Sequence, residues 1–196
     1  NNSACMGGGV YLSTSNTSLI GNSFTLNSAN CGTAEGGALY IDCKVDCSNL
    51  VQNNLFANNI ANSGGAFRWN ALKPTFTENS FSSNLAIYGN DFASFPRSLK
   101  LLGLERTSKA AGLNLSEVIV SGQLVTTKLQ ISLTDTEEQT IFTDNSTICE
   151  LSSSNKIELA GTLKTQAKDG GIEFSRFLVS SIPGDDISLT VSCSNY

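Results

Sequence analysis

Six cysteines and no histidine bound the chemistry open to this 196-residue chain. Without histidine there is no His-based triad and no Cys–His zinc site. An even number of thiols without such partners points to disulfides. They are Cys5, Cys31, Cys43, Cys47, Cys149 and Cys193. Four N-x-S/T sequons, at Asn1, Asn16, Asn114 and Asn145, are candidate N-glycosylation sites. Together the two signals predict an extracellular, cell-surface setting. Acid–base or Ca²⁺ chemistry is left to carboxylates. Those of the first half are Glu35, Asp42, Asp46, Glu78 and Asp91, and they share no repeat position, so no acidic face is expected. Asp42 and Asp46, flanking the Cys43–Cys47 loop, read as solvated, with weak Ca²⁺ binding as the alternative, and Asp185-Asp186 reads as a turn, with a metal role as the alternative. Trp69, the one tryptophan, is expected to pack, with a sugar-stacking platform as the alternative. No catalytic residue, metal ligand or cofactor is expected. The Gly-Gly pairs lack the flanking strand, helix and lysine of a phosphate cradle.

The elements that must hold these residues come from a repeat. Gly7-Gly8-Gly9-Val10-Tyr11-Leu12 aligns with Gly36-Gly37-Ala38-Leu39-Tyr40-Ile41 and with Gly64-Gly65-Ala66-Phe67, at offsets of 29 and 28 residues. A second motif follows each start: Asn22-x-Phe24-x-x-Asn27-x-Ala29, Asn54-x-Phe56-x-x-Asn59-x-Ala61 and Asn79-x-Phe81-x-x-Asn84-x-Ala86. Gly89-Asn90-Asp91-Phe92 is a degraded fourth start, and Asn2-Ser3-Ala4 reads as the tail of a coil lacking its Phe. Short apolar segments between Asn/Gly corners, in units of about 25–29 residues, predict a parallel β-helix of three to four coils. The L-x-x-L-x-L spacing of leucine-rich repeats is missing.

Stacking coils about 4.8 Å apart turns equivalent residues into ladders. Phe24, Phe56 and Phe81 are expected to stack as an aromatic core, and Asn27, Asn59 and Asn84 to bond along the axis at a corner. The same spacing pairs Cys5 with Cys31, which sit one coil apart at one corner. Cys43 and Cys47 share the insert of the second repeat and pair as a local staple.

Past Pro96 the repeat stops. Arg106 to Gly112 reads as a link between the halves. Alternation then takes over, in Leu129-Gln130-Ile131-Ser132-Leu133 and in Ile187 to Cys193, with turns at Lys168-Asp169-Gly170-Gly171 and Pro183-Gly184-Asp185-Asp186. This predicts an antiparallel sandwich over 97–196, after a β-helix over 1–96. Cys193 falls on the inward phase, and if Cys149 does too the pair is expected to bridge across that sandwich.

The paired GGA(I/L/V) and F-x-x-N motifs resemble the polymorphic membrane proteins, autotransporter adhesins with right-handed β-helical passengers. They also resemble large repeat-rich surface proteins of ciliates and other protists. There a run like Tyr88-Gly89-Asn90-Asp91-Phe92-Ala93-Ser94 closes the β-helix. The second half, with LQISLTDTEEQTIFTDNSTICELSSS, LAGTLKTQAKDGGIEFSRFLV and ISLTVS, is similar to an invasin-type, bacterial-Ig-like repeat. These resemblances imply an all-β chain with a right-handed β-helix followed by an Ig-like sandwich.

Net charge of −5 with scattered charges gives no nucleic-acid surface, and no apolar run is long enough to span a membrane. The chain begins inside its repeat pattern, as a piece of a longer or processed polypeptide would. The expected role is non-enzymatic: a structural module of an extracellular surface protein or filament. Its expected partners are copies of itself or neighbouring modules of the same polypeptide, joined head to tail. Glycan or receptor binding by an adhesin is the alternative, and a polysaccharide lyase or hydrolase the third reading.

Overall fold

The computed structural model describes residues 1–13, 16–102, 112–113, 120–125, 128–153, 157–184 and 187–194, with 97, 112 and 113 by backbone alone. It is all-β, without a helix among the described residues. Two compact units form: Asn1–Phe95 with Asp135–Gln139, and Pro96–Thr134 with Thr140–Tyr196.

The first unit is a parallel β-solenoid of about three turns. One sheet stacks Val10–Ser13, Leu39–Cys43, Phe67–Ala71 and Phe92–Ala93. A second stacks Ser18–Ile20, Leu50–Gln52 and Thr75–Thr77, and a third Ser23–Thr25, Leu55–Ala57 and Ser80–Ser82. Ser3–Ala4 lies on Ser28–Ala29. In all of them the strands pair in parallel.

The sequence builds a coil by alternating three-residue strands with left-handed corners. Before each first-motif Asn stands a residue with positive φ: Gly21, Asn53 and Glu78 at 68°, 54° and 57°. Before each second Asn stand Leu26, Asn58 and Ser83 at 56°, 57° and 53°. The third corner takes the first Gly of each start, at 57–64° in Gly7, Gly36, Gly64 and Gly89. The next glycine is required for another reason: a Cβ on Gly37 collides with the Gly65 carbonyl of the adjacent coil.

The underlying period is 25 residues, as in Leu50↔Thr75, Leu55↔Ser80 and Phe67↔Phe92. The offsets of 29 and 28 at the Gly-Gly starts are this period with two inserts, of four and three residues. Each insert carries cysteine. Inside, Leu39, Ile41, Val51, Phe56, Phe67 and Trp69 are fully buried.

Among the described residues the second unit holds three sheets. One joins Pro96–Leu102, Leu129–Asp135 and Gly171–Phe174. The next joins Gly112–Leu113, Leu189–Cys193, Ile148–Ser153 and Lys164–Gln166, and the last Leu124–Val125, Phe177–Ser180 and Glu158–Gly161. Their pairings are antiparallel wherever register is defined. Alternate residues face one core of Leu129, Ile131, Leu133, Leu151, Ile172, Phe174, Val179, Leu189 and Val191. Of the expected link, 106–111 lie outside the described residues and Gly112 opens a strand.

Candidate functional site

Three features concentrate polar chemistry in the first unit: columns of asparagine, a buried arginine cluster and a carboxylate cap. The second-motif asparagines, buried, form one column. Asn27 and Asn59 each donate both backbone N–H and Nδ2 to the Oδ1 of the next Asn, all at 3.0 Å. Asn59 Nδ2 also reaches the Phe24 carbonyl at 2.9 Å, and Asn84 Nδ2 the Phe56 carbonyl at 3.0 Å. Each amide therefore satisfies corner backbone that no strand pairing reaches. Phe24, Phe56 and Phe81 stack at 4.9 and 5.3 Å with interplanar angles of 8° and 10°. The first-motif residues Asn22, Asn54 and Asn79 form a second column that the sequence analysis did not assign, although the same alignment contains it.

Arg68 is the buried cation of the unit, 8 % exposed. Its Nη2 lies 3.3 Å from Glu35 Oε1, and its Nη1 donates to Ser63 Oγ and, at 2.8 Å, to Tyr88 Oη. Tyr88 Oη in turn donates a hydrogen bond to the Ser94 carbonyl at 3.2 Å. Burial pushes the Tyr40 phenol above its ordinary value, with Glu35 adding to it, and burial likewise raises Tyr88. Glu35, Ser63 and Tyr88 each precede the first Gly of a start and pair in sequence along the axis. The guanidinium thus braces three successive coils. Arg68 Nε and Trp69 Nε1 are buried without a partner among the described residues. No repeat periodicity flags this cluster, because each of its members replaces a different residue type in the other coils.

The cap is Asp135, 1 % exposed. Its Oδ1 accepts Glu137 N–H and Gln139 N–H at 2.9 and 3.0 Å, and its Oδ2 accepts Ser94 N–H at 3.0 Å. Gln139 Nε2 donates to the Phe92 carbonyl at 3.0 Å. Residues 135–139 thereby satisfy backbone beside the last strand of the first sheet. Sequence reading placed them in the second half.

The cysteines form Cys5–Cys31, Cys43–Cys47 and Cys149–Cys193, with Cα separations of 5.0, 6.1 and 4.0 Å. The third corrects the expected bridge across a sandwich: Cys149 and Cys193 are directly opposed on neighbouring antiparallel strands of one sheet. Inward phase shows which face a cysteine shares, not which strand lies beside it. Three disulfides fit an oxidising, secreted setting; among the described residues no helix is long and apolar enough to cross a membrane. Trp69 is corrected as a platform, since its ring is fully buried against Phe67, Phe76 and Phe92. Asp42 accepts from Asn70 Nδ2 at 3.1 Å and from Tyr11 Oη at 3.5 Å. Asp46 lies exposed with φ at 53°.

Asn1, Asn16 and Asn145 are exposed. Asn16 Oδ1 accepts Ser48 N–H at 2.7 Å and Asn145 Oδ1 accepts Asp169 N–H at 2.9 Å. Among the described residues neither Nδ2, the atom a glycan would take, makes a hydrogen bond. Asn114 and Asp185-Asp186 lie outside the described residues. No protein-family model, no curated protein and no solved structure matches this chain.

Proposed function

We propose that this chain is a non-enzymatic structural module of an extracellular surface protein or filament, joined linearly to copies of itself or to neighbouring modules. The observation that carries this reading is how the repeat residues are used. Asn amides and Phe rings, the parts that recur, are spent on coil-to-coil contacts, and a disulfide ties the first coil to the second. Such stacking suits a rigid rod whose neighbours touch mainly along one axis. We read the solenoid as a right-handed β-helix and the second unit as an Ig-like β-sandwich. The motif resemblance and the alternating core strands support that assignment. Exposed sequons at Asn1, Asn16 and Asn145 support a glycosylated surface.

Sedimentation and electron microscopy of the 196-residue chain test the assembly. Concentration-dependent linear species are expected, and a stable monomer would leave only a covalent tandem array. Glycopeptide mass spectrometry of native material checks the surface reading, and bare asparagine at every sequon would remove that support. The adhesin reading has one observation in its favour, the adjacent polar side chains of Tyr11, Asp42 and Asn70 on one outer face. A glycan array decides for it if binding is specific and is lost in Tyr11→Ala.

A further inference from the structure

The corner between Cys43 and Leu50 holds the insert of three residues, and the third coil turns the same corner without one, from Ala71 to Thr75. The insert is therefore not needed to build a coil. It raises Lys44, Val45 and Asp46 into solvent, with Val45 72 % exposed. At its base Ser48 N–H reaches Asn16 Oδ1 at 2.7 Å, and Thr17 N–H reaches Asn49 Oδ1 at 3.1 Å. Cys43 and Cys47 bridge its two sides, with Cα atoms 6.1 Å apart.

Exposed loop tips are where proteases nick a folded chain. Residues 1–95 contain three residues after which a trypsin-type protease cuts, Lys44, Arg68 and Lys73. Arg68 is buried in its brace, and Lys73 is followed by Pro74, whose ring and missing N–H deny the bond between them. That leaves Lys44. A protease cleft, however, takes its substrate as an extended strand. Extended, Cys43 to Cys47 would span about 13 Å at about 3.3 Å per residue. The bridge holds them at less than half of that, and Asp46, two residues past Lys44, sits at φ 53°. The intact loop does not fit such a cleft.

We propose that Lys44–Val45 is a conditional cleavage site for a trypsin-type protease, shut while Cys43–Cys47 is intact and opened when a small thiol reduces it. Two thiol molecules reduce the bridge to the Cys43 and Cys47 thiols and are themselves joined as a disulfide. The freed loop extends, and water adds across the Lys44–Val45 amide, leaving a carboxylate on Lys44 and an amine on Val45. The bridge guards the site twice. It spans the scissile bond, so a cut made while it is intact leaves one covalent chain. With the bridge open, a cut leaves residues 1–44 and 45–196 joined by coil stacking alone, as of Leu19 on Val51 and Phe24 on Phe56, because Cys5–Cys31 lies wholly in the first piece.

The test is limited trypsin digestion of the folded full chain, with scission at each bond read by mass spectrometry. Arg68–Trp69 is the gauge of unfolding, since both residues are buried in the folded unit. In a Cys43→Ala/Cys47→Ala chain, Lys44–Val45 is expected to be cut about tenfold faster than in the parent, and before Arg68–Trp69. Adding Lys44→Ala to that chain is expected to abolish the early cut within residues 1–95. A Cys5→Ala/Cys31→Ala chain loses a longer bridge but keeps the staple, and is expected to stay as resistant at Lys44 as the parent. In the parent, the slow cut adds one water to the mass and releases no piece until the chain is reduced in denaturant. Equal rates in the parent and the staple-free chain, or scission at Lys44–Val45 only together with Arg68–Trp69, overturns the proposal. Equal sensitivity of the Cys5→Ala/Cys31→Ala chain overturns it too, because loss of stability would then suffice.

Discussion

Asn59 illustrates how one side chain holds three coils. Its Oδ1 serves Asn27, its backbone N–H and Nδ2 serve Asn84, and Nδ2 also serves Phe24, all in a fully buried corner. Removing it strands the Asn27 N–H and one Asn27 Nδ2 proton and takes a donor from the Phe24 carbonyl, while Asn84 Oδ1 keeps the Asn59 backbone donor. At about 1–3 kcal/mol for each buried group left unpaired, Asn59→Ala is expected to cost roughly 3–5 kcal/mol. Asn22→Ala, at the exposed end of its column, costs about 1 kcal/mol or less, because Asn54 Oδ1 keeps the backbone donor. Urea unfolding of the two variants checks the ratio. The arginine cluster makes a second expectation, in pH. Tyr40 and Tyr88 titrate above their ordinary value in the folded chain. Unfolded, they begin to lose protons near pH 10, so their contribution is whole below about pH 10 and is lost as pH rises further. For each fully shielded phenol the slope is about 1.4 kcal/mol per pH unit. Phenolate absorbance from these two residues should appear only together with unfolding; full ionisation of a still-folded chain would refute this. The ladder residues were legible because they recur. Arg68 was not, because a brace made of Glu35, Ser63, Arg68 and Tyr88 occurs once and leaves no period to detect.

At the scale of the coil, corners rather than strands set the tolerance to change. Gly37→Ala forces the Gly65 carbonyl away and should break the stacking of adjacent coils, whereas Gly32→Ala meets nothing within 4 Å. Thermal unfolding is expected to separate the two by several degrees. Leu26 is an exposed leucine in a left-handed corner where the later coils use Asn58 and Ser83. Leu26→Asn is therefore expected to stabilise by about 0.5–1 kcal/mol, since asparagine tolerates that conformation better. No gain in denaturation midpoint would count against the corner argument. The 25-residue period was hidden for a related reason. Both inserts fall between recurring glycines, so spacing read from the glycines alone includes them. The disulfide within one sheet of the second unit was hidden differently. Alternation assigns faces to strands but not neighbours, and only the strand order sets Cys193 opposite Cys149.

For the whole chain, the three bridges close loops of different length, with sequence separations of 44, 26 and 4 for Cys149–Cys193, Cys5–Cys31 and Cys43–Cys47. Loop-closure entropy then ranks their removal by paired Cys→Ala substitution at about 4, 3.5 and 2 kcal/mol. Native-state hydrogen exchange should place the first loss in the second unit and the other two in the first. A uniform loss over both units would contradict their separate cores. The asparagine columns have a further consequence. Sheet dipoles largely cancel between alternating backbone groups, but the side-chain amides all align head to tail, oxygen towards the first coil. The solenoid is therefore an electrical dipole built from uncharged side chains, in the manner of a helix but carried by amides at the corners. Its negative pole is the first coil. In an applied field the rod is expected to orient with a permanent moment that neutral Asn→Ser replacements reduce, and transient electric birefringence would measure it.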